Sequence, residues 1–218
     1  MIQVFRRICR LHLAGLHWAY KRYRKATIRR GLECEIAILS LADIAKASSL
    51  RVAGDDFDEA IIRYLEEKRG LRVGEQTSEQ IKIRIGSAWP LPEELAMKVR
   101  GRDVASGLPR QIEVNSVEIR EALAEPLKKI ADEVVKTLRE ADPELAADLC
   151  NPDLPHNGIT VAGGGALLRG IDQMFADRTG LTVKIADDPL TCVARGTALY
   201  LENLEQYKSI LESNVEEL

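Results

Sequence analysis

Gly163-Gly164-Gly165 constrains the fold of this chain more than any other feature. A short apolar run, Gly158-Ile-Thr-Val-Ala162, leads into it, and a helical pattern opens after it at Ala166-Leu-Leu-Arg-Gly170. Strand, glycine turn and helix in succession predict a βα unit. Its turn lets backbone approach an anion or nucleotide with no Cβ in the way. A tight turn can use the same triplet for purely steric reasons, so the glycines alone do not assign a ligand.

The rest of the pattern predicts an α/β chain. Glu33 to Leu41 reads as a strand and Ala45 to Val52 as its antiparallel neighbour. Asp55 to Lys68 carries Phe57, Ala60, Ile61, Tyr64 and Leu65 at helical spacing. Thr77-Ser-Glu-Gln80 reads as a capping box starting a second helix. Glu94–Val104 and Arg110–Asn115 form a hairpin across Ala-Ser-Gly-Leu-Pro. Ser116 starts a helix to about Glu140, with Pro126 marking a kink or a fresh start. A short helix (143–149), the glycine unit with its helix (166–178), a strand (181–185) and a last helix (190–205) complete the pattern.

Charge divides the chain. Residues 1–30 hold nine of the 31 basic residues and no acid, which leaves 22 basic against 34 acidic residues beyond them. The acidic body gives no reason to expect nucleic-acid binding. The basic head places Met1, Val4, Phe5, Ile8, Leu11, Leu16, Ala19, Tyr20 and Tyr23 on an approximate helical stripe, as in a membrane-surface helix. It also has the Arg-rich, acid-free character of a targeting segment, and a non-native lead-in from a frameshift or truncation would look no different. Apolar runs are too short to span a bilayer, so the body is expected to be soluble. Cys9, Cys34, Cys150 and Cys192 lie far apart, with no CxxC pair, and read as reduced cytosolic thiols. With three scattered histidines they suggest neither a zinc site nor a disulfide frame.

Two more segments could touch a nucleotide. Glu79 and Lys82 stand three residues apart on one helix, so both project from one face, where they could hold ribose hydroxyls and flank a base. An ordinary surface ion pair has the same spacing. Gly54-Asp55-x-x-Asp58 is a strand-to-helix turn whose acids suit the helix dipole without any ligand.

Taken in order, several blocks resemble the MreB family of bacterial actin-like rod-shape proteins. They are Arg51-Val-Ala-Gly-Asp-Asp-Phe-Asp-Glu-Ala-Ile61, Glu79-Gln-Ile-Lys-Ile-Arg-Ile-Gly-Ser87, Val99-Arg-Gly-Arg-Asp103 and Gly107-Leu-Pro109. Pro143-Glu-Leu-Ala-Ala-Asp148, Gly163-Gly-Gly-Ala-Leu-Leu-Arg169 and Asp187-Asp-Pro-Leu-Thr-Cys-Val-Ala194 follow. The resemblance runs from Glu33 to Leu204 and corresponds to the carboxy-terminal half of such a protein. It implies half of an actin-like fold: a ribonuclease-H-like three-layer domain (33–52 and 116–205) with a small α/β subdomain (53–115) inserted, between a basic segment (1–32) and an acidic tail (206–218). It also implies an adenine nucleotide site. Gly163, Gly164, Gly165 and Ala166 would pack against the adenosine, Glu79 and Lys82 would hold base and ribose, and Gly54 and Asp55 would stand beside the cleft. The family's cofactor is ATP with Mg2+. Its partners are other MreB-like protomers and the rod-shape machinery, in the cytoplasm at the inner-membrane surface.

The chain departs from that family where the second phosphate loop should be. Asp-Ile-Gly-Gly-Gly-Thr is replaced by Ile28-Arg-Arg-Gly-Leu-Glu33, which lacks the magnesium-organising carboxylate and two glycines. The family's first half has no counterpart here. Phosphoryl transfer works by positioning and electrostatics from both sides of the phosphates, so neither a catalytic nor a metal-binding residue is expected, and nucleotide binding is expected to be weak or absent. Two other readings compete: a non-hydrolysing module that binds or caps full-length MreB filaments, and another actin-fold ATPase or sugar kinase, for which no sugar-binding or catalytic Asp motif is evident.

Overall fold

A computed structural model describes residues 2–3, 34–40, 43–151 and 157–203. The helical stripe of the basic head, the altered loop at 28–33 and the acidic tail lie outside the described residues.

Two sheets organise the described residues. The larger has the order β3-β2-β1-β7-β8, built from β1 (Ile2–Gln3), β2 (Cys34–Ser40), β3 (Asp43–Leu50), β7 (Ile159–Val161) and β8 (Val183–Ile185). β2 and β3 are antiparallel, as their alternation predicts, with a register shift between Ile38 and Leu39. β7 and β8 are parallel. Between the two pairs lies β1, which the sequence pattern does not announce: Ile2 faces Ile36 in parallel and Val161 in antiparallel pairing. The smaller sheet has the order β4-β5-β6, from β4 (Leu71–Arg72), β5 (Ala96–Asp103) and β6 (Pro109–Asn115). Two-residue β4 is too short to give a periodic signal. It pairs antiparallel with the far end of β5.

Six helices among the described residues accompany the sheets: α1 (Gly54–Arg69), α2 (Glu75–Ile85), α3 (Ser116–Arg139), α4 (Pro143–Cys150), α5 (Ile171–Thr179) and α6 (Cys192–Glu202). Among the described residues, no helix is long and apolar enough to cross a membrane. α1 buries Phe57, Ile61 and Leu65 and ends at Gly70, whose left-handed φ of 60° closes the helix. α3 starts with a true reciprocal cap: Glu118 N donates to Asn115 Oδ1 at 3.0 Å, and Asn115 N to Glu118 Oε2 at 3.1 Å. It packs on β2, β3 and α5 and also on α1, α2 and β6, so it joins the layers of both sheets. Its buried Ile119, Leu123, Leu127, Ile130 and Val134 explain the length of the helix. Each such aliphatic side chain contributes roughly 1.5–3 kcal/mol on burial. Pro126 is buried inside this one helix and does not start another.

Two helix boundaries differ from expectation. α2 begins at Glu75, two residues before the Thr77 box, because backbone does the capping: Thr77 N and Ser78 N both donate to Gly74 O at 3.0 Å. The helix expected over 166–178 is a 3-10 turn (Gly164–Leu167), an extended Leu168 and then α5. Gly170 makes the break. It sits at φ 70°, and a Cβ there would stand 2.5 Å from Trp89 Cβ.

Candidate functional site

The glycine turn lies at the end of β7, where the strand leaves the sheet. Gly163 has φ 84° and donates its N–H to Pro189 O at 2.8 Å. Left-handed backbone accounts for glycine at that position. Gly164 and Gly165 are exposed and have ordinary φ. A Cβ on Gly165 would meet nothing within 4 Å, and one on Gly164 only Leu190 Cδ2 at 3.7 Å. Among the described residues, neither backbone strain nor packing requires glycine at these two positions. What the bare backbone leaves is an open approach. Ala166 is placed differently: its methyl is buried and its N–H donates to Gly163 O at 3.1 Å.

Lys82 and Gly54 meet at the seam between α1 and α2. Lys82 Nζ donates to Gly54 O at 3.0 Å and to Asp58 Oδ2 at 2.6 Å. Ser78 Oγ, fully buried on the same helix, donates to Asp58 O at 2.7 Å and locks the two helices in register. Glu79 and Asp55 are exposed beside this seam. Lys82 therefore pairs with Asp58 across the seam and not with its sequence neighbour Glu79. Burial pushes the Asp58 carboxyl above its ordinary range, against the pull of Lys82.

The turn and the seam are joined by the segment after the glycines. Arg169 donates through one guanidinium nitrogen to Ile83 O at 3.0 Å and to Gly86 O at 3.4 Å. These carbonyls lie at the end of α2, one directly after Lys82 and the other one turn beyond it, where a cation also suits the helix dipole. Ala88 N donates to Arg169 O at 2.7 Å. Gly86 is packed so closely that a Cβ would stand 2.3 Å from Lys82 O and 3.0 Å from Leu168 Cδ1. Sequence reasoning placed Arg169 in a resembling block without giving it this role, and passed over Asp58 as a dipole acid. Only the fold shows either contact, because the partners are 24 and 86 residues distant.

Chemically, this arrangement offers a bare backbone turn, a held ammonium and exposed carboxylates near it. Such groups can bind a neutral, hydroxyl-bearing ring system and its base. Among the described residues, no group of three or more His, Cys, Asp or Glu side chains could hold a metal ion.

Comparisons with known proteins identify the family and the fold. Over 173 residues the chain is 46% identical to the cell shape-determining protein MreB of Escherichia coli (strain K12), a match covering 79% of this chain and 48% of that protein. It thus spans about half the length of the curated relatives it matches. The crystal structure of MreB5 of Spiroplasma citri bound to ADP superposes with a TM-score of 0.77 at 34% identity, covering 92% of this chain and 60% of the other. The MamK double helical filament, at 20% identity and a TM-score of 0.60, covers 89% of this chain and 58% of its own and supports the fold alone. The fold is that of actin-like proteins, α/β as its sequence predicts. Residues 30–209 match the family described as MreB/Mbl protein, and to that family the chain belongs.

Proposed function

We infer that this chain supplies the adenosine-facing wall of an actin-like nucleotide site and serves the rod-shape cytoskeleton by assembling with MreB-like protomers. Gly165 carries the reading. Its glycine is required by neither φ nor packing, and it lies on the turn that Arg169 ties to the helix bearing Glu79 and Lys82. A bare backbone turn tied to the helix that carries a held ammonium suits a ligand's sugar and base. The similar MreB5 of Spiroplasma citri is bound to ADP.

In this reading Gly163, Gly164, Gly165 and Ala166 line the adenosine side through their backbone. Glu79 and Lys82 hold base and ribose, and Gly54 and Asp55 flank the cleft. Residues 33–52 and 116–205 form the ribonuclease-H-like part, with 53–115 inserted. The chain works in the cytoplasm at the inner-membrane surface. Affinity is weak, because the sequence Ile28–Glu33 lacks the acid and glycines that would receive a magnesium-bound phosphate. The polypeptide alone leaves ATP unhydrolysed. Calorimetric titration with ADP and with ATP and Mg2+ tests this reading: weak heats common to both nucleotides are expected, and magnesium-dependent turnover would overturn it.

Exposed aliphatic residues favour assembly. Leu167, Leu190, Val193, Leu199 and Leu201 are 41–65% exposed across the glycine turn and α6. They also suit the second reading, a module that caps filaments of a full-length relative. Shortened filaments in a pelleting assay would favour capping, and incorporation along their length would favour co-assembly.

A further inference from the structure

Asp58 holds Lys82 at the site and has been given no role toward a ligand. It stands one turn into α1 with Oδ2 against Lys82 Nζ, and the two side chains are only 14% and 18% exposed. A pair so withdrawn from solvent is not the screened surface contact whose worth is close to nothing. The ammonium also donates to Gly54 O, so two of its three hydrogens are committed and one remains. Asp58 Oδ1 is buried and accepts no hydrogen bond from the described residues. A half-satisfied buried carboxylate is a standing cost to the fold. The ion pair with Lys82 and the helix dipole have to offset that cost.

We propose that Asp58 is a positioning residue for ligand binding. Its carboxylate fixes Lys82 Nζ over Gly54, so that the remaining N–H is presented to the ribose or base of an adenosine ligand that Asp58 itself does not touch. The proposal rests on the adenosine-site reading above and adds to it the group that sets where the ammonium stands. Lys82 and Glu79 face Asp58 from α2, and Asp55 faces it from its own helix. Burial, helped by the two neighbouring carboxylates, lifts its pKa above that of an ordinary aspartate despite Lys82. Protonation would remove the charge that holds Lys82, so binding should weaken on acidification earlier than an ordinary aspartate would cause.

The test is a titration of the full 218-residue chain with adenosine, which carries no phosphate to titrate, followed by ligand-observed NMR. Asp58→Asn should bind at least about tenfold more weakly, the scale of a charge-assisted hydrogen bond. Glu67→Gln, an exposed acid on the same helix, should bind as the unaltered chain does. The unaltered chain should lose affinity as the pH falls, and Asp58→Asn should show a smaller loss, since the ligand-facing Glu79 remains; a merely structural aspartate would leave the two profiles parallel. If Asp58→Asn does not fold, Asp58→Glu keeps the charge but displaces the ammonium, and weaker binding is again expected. Unchanged affinity in a folded Asp58 variant overturns the positioning role and leaves the adenosine site standing. No binding by the unaltered chain overturns both.

Discussion

Gly165 and Gly170 are five residues apart and answer to different demands. Gly170 is held by the chain itself, through a left-handed φ and the Trp89 Cβ. Gly165 has neither constraint. Gly170→Ala should therefore destabilise the fold by more than about 1 kcal/mol in urea unfolding. Gly165→Ala should leave stability unchanged or raise it by roughly 0.4–1 kcal/mol, while weakening adenosine binding. The sequence showed three adjacent glycines but not which of them the fold requires, because that depends on what stands opposite each Cα. Asp103 shows a similar limit. Its carboxylate accepts from Ser106 N at 2.8 Å, Ala105 N at 3.1 Å and Arg110 at 2.8 Å, and its pKa falls to about 2, chiefly through the Ser106 backbone bond. A depressed pKa means the contribution to stability is present above the ordinary value of 3.8 and is lost as pH falls through about 2. The amide shifts of Ala105 and Ser106 should titrate with that low midpoint, and Asp103→Asn should abolish the titration.

At the scale of elements, periodicity was a good guide wherever an element had length. The β2–β3 hairpin, α1, the β5–β6 hairpin and α3 all stand near their expected bounds, because each has a buried face that repeats at its own period. The turn chemistry of Asp103 to Pro109 reads through as well, with Gly107 at φ 71°. β1 and β4 were illegible, since two residues carry no period and their pairing is set by remote partners. Pro126, expected as a kink or a fresh start, begins no new helix: a proline removes one helical donor, but burial of the residues on either side outweighs that loss. Arg169 belongs to this scale too. It fastens the glycine-turn segment to the last turn of α2, and its truncation breaks bonds to two carbonyls. Arg169→Ala should cost about 1 kcal/mol of stability and lower adenosine affinity without altering any residue of the glycine turn or of the α1–α2 seam.

For the whole molecule, the division of charge and the exposed aliphatic residues matter most. Beyond the basic residues 1–30 the chain is strongly acidic, and its Leu190, Val193, Leu199 and Leu201 face outward. Sedimentation of the complete chain should show concentration-dependent association, and Leu190→Glu with Leu201→Glu should suppress it. Vesicle co-sedimentation of the complete chain and of Lys21→Glu with Arg22→Glu and Arg24→Glu, which leaves β1 in place, tests the membrane expectation; equal binding by both would end it. The buried side chains of α3 lie in one apolar cluster that also includes Ile36 and Ile38 of the larger sheet and Val99 and Val114 of the smaller. Neither sheet can then lose its packing while the other keeps its own. On heating, the segment 53–115 should not melt as a separate event, and a calorimeter should record a single endotherm for the entire polypeptide.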